Sequence, residues 1–143
     1  MIIDTTYLLP LSRIGVRTDL IKAVVEGRAR GVRLGDLKVS LISIFELQAK
    51  AAKLDIPTRD AVKAVNVILR SFQVIPFYRA DIIETAHELR GKLADYIDSI
   101  IVATAAALGE DLATEDTNIH AHKKEIEKSY NVKILSYKDL VKT

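Results

Sequence analysis

Short apolar runs rich in β-branched residues alternate along this chain with longer segments whose apolar positions recur every three to four residues. The opening MIID reads as a buried strand that ends at Asp4. Strand patterns return at 73–77 (QVIPF), at 111–114 (DLAT) and at 132–135 (VKIL), with a less distinct one at 37–42 (LKVSLI). Runs of this length and composition suit strands covered on both faces. Between them the period turns helical. Over 58–72, Val62, Val65, Leu69 and Phe72 share a face behind a Thr58 cap; over 80–94, Ile82, Ala86, Leu89 and Leu93 do so. Residues 18–30 offer Leu20, Ile21, Val24 and Val25, and residues 43–54 offer Ile44, Leu47, Ala51 and Leu54. A last, Ala-rich helix opens near Asp98 and closes at Gly109. Strands alternating with helices predict a parallel sheet sandwiched between helical layers, an α/β/α fold, with residues 1–143 forming one domain. Such a sheet gathers its strand C-termini on one edge, where ligands of doubly wound folds bind.

Four acids fall on that edge. Asp4 ends the first strand, Glu46 sits in the first turns of the helix after the indistinct second strand, Asp98 opens the Ala-rich helix, and Asp116 follows the strand at 111–114. Two unit charges 4 Å apart repel by about 4 kcal/mol at an effective dielectric near 20, so a cluster of carboxylates must take up protons or a cation. Mg²⁺ and Mn²⁺ prefer oxygen ligands, and such ions promote displacement at phosphorus by easing the ionisation of water and offsetting charge on the attacking and leaving oxygens. Each acid also has a plainer reading: Asp4 as a turn residue, Glu46 as the i,i+4 partner of Lys50, Asp95 and Asp98 as helix N-terminal acids, Asp116 as part of a loop.

Composition narrows the field. The chain has no cysteine, which removes disulfides and thiolate zinc sites. No basic leader precedes the first strand and no apolar run reaches the roughly 18–20 residues that span a bilayer, so a cytoplasmic protein without membrane contact is expected. The net charge of +2 is unevenly spread: Arg13 to Lys38 carries +4, leaving −2 for the remainder.

Together the four acidic motifs resemble those of the PIN-domain ribonucleases, in particular the VapC toxins of toxin–antitoxin pairs. The pattern runs through nearly the whole chain: IIDTT for the strand into Asp-[Thr/Ser]-[Ser/Asn], SLISIFELQAKA for the helical Glu, YIDSIIVATAAA for Asp followed by Ala-x-Ala, and LATEDTNI for the strand into Thr-x-Asp, with VKILSYKDL as the closing strand and tail. The resemblance implies a five-stranded parallel sheet and Mg²⁺- or Mn²⁺-dependent RNA cleavage, with Asp4, Glu46, Asp98 and Asp116 as the acidic metal site. Thr114 matches a Ser/Thr that orders the last loop, and Thr6 a position often Ser or Asn. Asn118 stands where many members carry another Asp, which lowers the negative charge available to a second ion. A homodimer and a VapB-like antitoxin that covers the acidic pocket are implied as well.

An acidic pocket repels a polyanion, so RNA affinity has to come from cations elsewhere; Arg13, Arg17, Arg28, Arg30 and Arg33 are the candidates, each also readable as a solvated helix face. Tyr7 and Tyr96 lie near the expected rim as possible stacking partners or as core residues. His120 and His122, at i,i+2, diverge on a helix, and neither needs a catalytic role to explain it. Two further functions stay open: a non-catalytic RNA-binding module on the same fold, which Asn118 favours, and a phosphatase. The second lacks both a Gly-rich phosphate loop and a second Asp after Asp4-Thr5.

Overall fold

The computed structural model describes residues 1–142. Its frame is a five-stranded sheet in the order β3-β2-β1-β4-β5, formed by β1 (Ile2–Ile3), β2 (Lys38–Ser40), β3 (Gln73–Ile75), β4 (Leu112–Ala113) and β5 (Ile134–Leu135). Every pairing is parallel. The strands are two or three residues long, and β1 and β4 are buried throughout. Side chains alternate across the sheet: Ile3, Val39 and Ala113 enter one core, while Ile2, Ile75, Leu112 and Ile134 enter the other.

The first core is covered by α1 (Leu20–Val25), α2 (Leu41–Lys53), α3 (Thr58–Ser71), the 3₁₀ segment Thr5–Ser12 and the short α8 (Tyr137–Leu140). The second is covered by α4 (Ala80–Leu89), α5 (Tyr96–Leu108), α6 (Thr117–Ala121) and α7 (Lys123–Tyr130). This is the three-layer α/β/α sandwich that the alternating pattern predicts, and the sheet is wholly parallel. Among the described residues no helix is long and apolar enough to cross a membrane.

Several local expectations need correction. In α3 the buried residues are Ala64 and Ile68, with Phe72 just beyond, while Val62 and Leu69 point to solvent. Pro57, not Thr58, occupies the N-cap of α3, and no side chain caps it. The helix expected over 18–30 is confined to α1, with Asp19 capping Lys22 N–H and Val25 exposed. The helix expected from residue 43 begins at Leu41, behind a Ser40 cap on Ile42 N–H, and Leu54 lies past its end in solvent. The segment after Asp4 coils into the 3₁₀ turns Thr5–Ser12, an element that its sequence did not announce. Gly109 closes α5 with φ 62°, as its position suggests.

Candidate active site

The strand order turns between β1 and β4: β2 and β3 lie on one side of β1, β4 and β5 on the other. At such a switch point the connections leave in opposite directions and open a crevice beyond the strand C-termini. Asp4 leaves β1 there, and Thr114, Glu115 and Asp116 leave the adjacent β4. The mouth of α2 contributes Glu46 and the first turn of α5 contributes Asp98. All four predicted acids line one cavity of about 310 Å³.

Asp4 forms its floor and is only 7% exposed. Its Oδ1 accepts from Thr5 N–H at 2.7 Å and its Oδ2 from Thr114 Oγ1 at 2.6 Å. Thr114, fully buried, in turn accepts from Asp116 N–H at 3.0 Å, so one hydroxyl ties the two strand ends together. Burial nevertheless raises the Asp4 carboxyl above its ordinary range, and the nearby Asp116 and Asp95 charges act in the same direction. Glu46 accepts from Thr5 Oγ1 at 2.5 Å. Burial raises its carboxyl too, against that hydrogen bond. Among the described residues Glu46 makes no ion pair with Lys50.

Asp95 is the N-cap of α5, accepting from Ile97 N–H at 2.8 Å, which leaves Asp98 without a capping duty. Asp98 is half-buried and accepts no hydrogen bond among the described residues. Desolvation, with Asp116, Asp4, Asp95 and Glu46 adding their repulsion, pushes its carboxyl up to about 7. Asp116 is no loose loop residue: it caps α6, its Oδ1 accepting from Ile119 N–H at 2.9 Å.

The site also gathers residues that the motif reading passed over. Asp95 and Glu115 line the cavity, bringing its carboxylates to six against one ammonium, that of Lys50. Glu115 Oε2 accepts from the Tyr7 hydroxyl and from Tyr137 N–H at 2.7 Å, which pins the chain's C-terminal turn to the site. Tyr7 itself is fully buried, so it offers no face to a base. Burial, then the Glu115 acceptor, raises its phenol far above the usual range. Glu115 is adjacent to Asp116, but nothing in the local pattern distinguishes it from a solvated acid.

Of the supporting residues, Thr6 lines the cavity, Thr114 braces it, and Asn118 lies within α6 away from the lining. Tyr96 is exposed, edge-on to His87. The His120 Nε2–H donates to the Thr114 carbonyl at 2.7 Å and the His122 Nδ1–H to the Asn118 carbonyl at 3.0 Å, so both rings brace backbone. The five candidate arginines are exposed and none lines the acidic cavity. Arg28 pairs with Glu26 at 2.7 Å, Arg13 with Asp60 at 3.7 Å and Arg33 with Asp36 at 3.9 Å.

The donor set fits a hard cation: carboxylate oxygens, no sulfur, and strong mutual repulsion to be relieved. The side chains do not close into a finished cage. Among the described residues no three acids or histidines stand near enough to enclose an ion by themselves. Mg²⁺ tolerates this, because it keeps several waters and takes only one or two carboxylates directly.

Fold and site together define a doubly wound α/β protein with an acidic crevice at its switch point. The chain belongs to the PIN domain family, which it matches over residues 1–125. Comparison with curated proteins gave no match. Among solved structures it is similar to a chain of a toxin–antitoxin complex from Klebsiella pneumoniae, 26% identical, covering 81% of this chain and 86% of that one with a TM-score of 0.57. It shares the fold of a chain of FitAcB from Neisseria gonorrhoeae, 19% identical, with coverages of 95% and 96% and a TM-score of 0.65. A chain of VapBC2 from Rickettsia felis, bound there to a DNA fragment from its promoter, is also 19% identical, with coverages of 94% and 96% and a TM-score of 0.61.

Proposed function

We propose that this PIN-domain protein is a metal-dependent endoribonuclease, the toxin of a toxin–antitoxin pair. The observation that carries the reading is the meeting of Asp4, Glu46, Asp98 and Asp116, from four distant stretches of chain, in one cavity at the sheet's switch point. Asp4, Asp98 and Asp116 would hold Mg²⁺ or Mn²⁺, one or two of them directly and the rest through the ion's waters, with Glu46 ligating or orienting water. A bound ion of this kind acidifies water and offsets charge on phosphoryl oxygens. The chain's own residues do the positioning. Thr5 orients Glu46 and Asp4, Thr114 holds Asp4 and the Asp116 backbone, and Thr6 lines the approach. An antitoxin of the VapB kind, a homodimeric state and a cytoplasmic setting belong to the same proposal, in line with the toxin–antitoxin complexes among the similar structures.

The test is cleavage of defined single-stranded RNAs by purified protein: stopped by EDTA, restored by Mg²⁺ or Mn²⁺, and lowered at least a hundredfold in Asp98→Asn. Normal cleavage by folded Asp98→Asn would defeat the assignment. The second reading, an RNA-binding module without catalysis, is favoured by Asn118 and by the open spacing of the acids. RNA retention with no product across a range of divalent ions would establish it.

A further inference from the structure

Phe45 precedes Glu46 on α2 and turns away from the core. It is 62% exposed, whereas Phe72 is buried and Phe77 half-buried. The helical period accounts for its direction: Ser43, Ile44, Leu47 and Ala51 face inward, and Phe45 stands about 100° round the helix from Ile44. An aromatic ring left in water forgoes the burial that usually justifies its place.

The ring lines a shallow recess of about 280 Å³ with Ala49, Lys53 and Ile97, and the recess shares Glu46 and Lys50 with the acidic cavity. The two depressions are therefore contiguous, meeting at Glu46 and Lys50. The cavity holds five further carboxylates; the recess offers an aromatic face and two ammonium groups that make no ion pair among the described residues. A flat apolar face beside cations is what single-stranded nucleic acid requires, a base on the ring and phosphates on the lysines. A second copy of this chain fits less well, since a two-fold contact centred on Phe45 would gather Lys50 and Lys53 of both copies around one axis.

We infer that this recess is the nucleotide subsite beside the cleavage cavity: a base of single-stranded RNA stacks on Phe45 while Lys50 and Lys53 hold the adjoining phosphates. The inference takes its substrate class from the nuclease reading, yet its binding is measured without metal or turnover. Lys50 is the cation that lines both depressions, and none of the five candidate arginines lines either.

The probe is a short single-stranded oligoribonucleotide carrying 2-aminopurine, titrated with the full chain in EDTA. Binding is expected to quench the probe. Phe45→Ala should abolish the quench and weaken binding about tenfold, and Phe45→Trp should restore both. Lys50→Gln with Lys53→Gln should flatten the plot of log affinity against log salt by about 1.4. Circular dichroism and sedimentation of Phe45→Ala separate loss of contact from loss of fold or of self-association. Wild-type affinity and quenching in Phe45→Ala overturn the inference, as does a defect confined to self-association or to binding of a protein partner. In Mg²⁺, a wild type that cleaves RNA and a Phe45→Ala protein that binds and cleaves equally well overturn the subsite alone. A wild type that neither binds nor cleaves overturns the nuclease reading with it.

Discussion

Thr114 shows how one hydroxyl organises the acid cluster. It is fully buried, donates to Asp4 Oδ2 and accepts from Asp116 N–H, linking two neighbouring strand ends. Thr114→Val keeps the shape and removes both bonds, leaving a buried carboxylate oxygen and an amide short of a partner. The expected cost is about 1–3 kcal/mol of stability by urea unfolding, together with reduced cleavage of RNA as Asp4 and Asp116 lose their mutual register. A variant as stable and active as wild type would show that the hydroxyl is dispensable. Asp4 and Asp116 were legible from the local pattern, because polar residues after a buried apolar run mark a strand end, whereas Glu46 and Asp98 lie within helices and were set apart from ordinary helix acids only by the motif resemblance. Glu115 and Phe45 were not legible. Their significance comes from a hydrogen bond to Tyr7, 108 positions away, and from which side of α2 meets solvent.

At the level of elements, the misread face of α3 has a clear cause. Val62 and Leu69 are the conspicuous apolar residues of that helix, but its contact with the sheet side runs through Ala64, Ile68 and Phe72. Ala is small enough to allow close approach and too weakly hydrophobic to stand out in a pattern. By contrast, the α4 stripe of Ile82, Ala86 and Leu89, continued by Leu93, was legible because large residues mark nearly every buried position. The stop at Gly109 was legible for a local reason: its left-handed φ of 62° is one that glycine adopts without penalty. A Cβ there would meet nothing within 4 Å, so only backbone strain is at stake. Gly109→Ala should therefore lower stability by about 1 kcal/mol, read as a shift in the urea midpoint, while leaving metal-dependent RNA cleavage per folded molecule unchanged. Lost activity with stability intact would mean that the end of α5 communicates with its first turn, where Asp98 lies.

For the molecule as a whole, the acid cavity is a charge placed under tension, and its relief can be weighed. The Asp98 carboxyl rises from an ordinary 3.8 to about 7 in the fold, so between those values the folded state holds a proton that the unfolded chain has released. Stability on this account is complete at low pH and declines as pH rises through the folded value. The full rise corresponds to ~4 kcal/mol, which solvent screening at a half-exposed group reduces to about 1 kcal/mol. In metal-free buffer Asp98→Asn should match wild type near pH 4 and exceed it by about 1 kcal/mol at pH 8, roughly 3 °C in melting temperature. Divalent ions should reverse the order. If, as proposed, Mg²⁺ binds the deprotonated cluster of the folded chain, it should raise the wild-type melting temperature at pH 8, do little near pH 5, and act weakly on Asp98→Asn at either pH. Differential scanning fluorimetry across that grid checks each term independently of any RNA. If Mg²⁺ stabilised both proteins equally, or wild type equally at both pH values, Asp98 would not be where the cation relieves the cavity's charge.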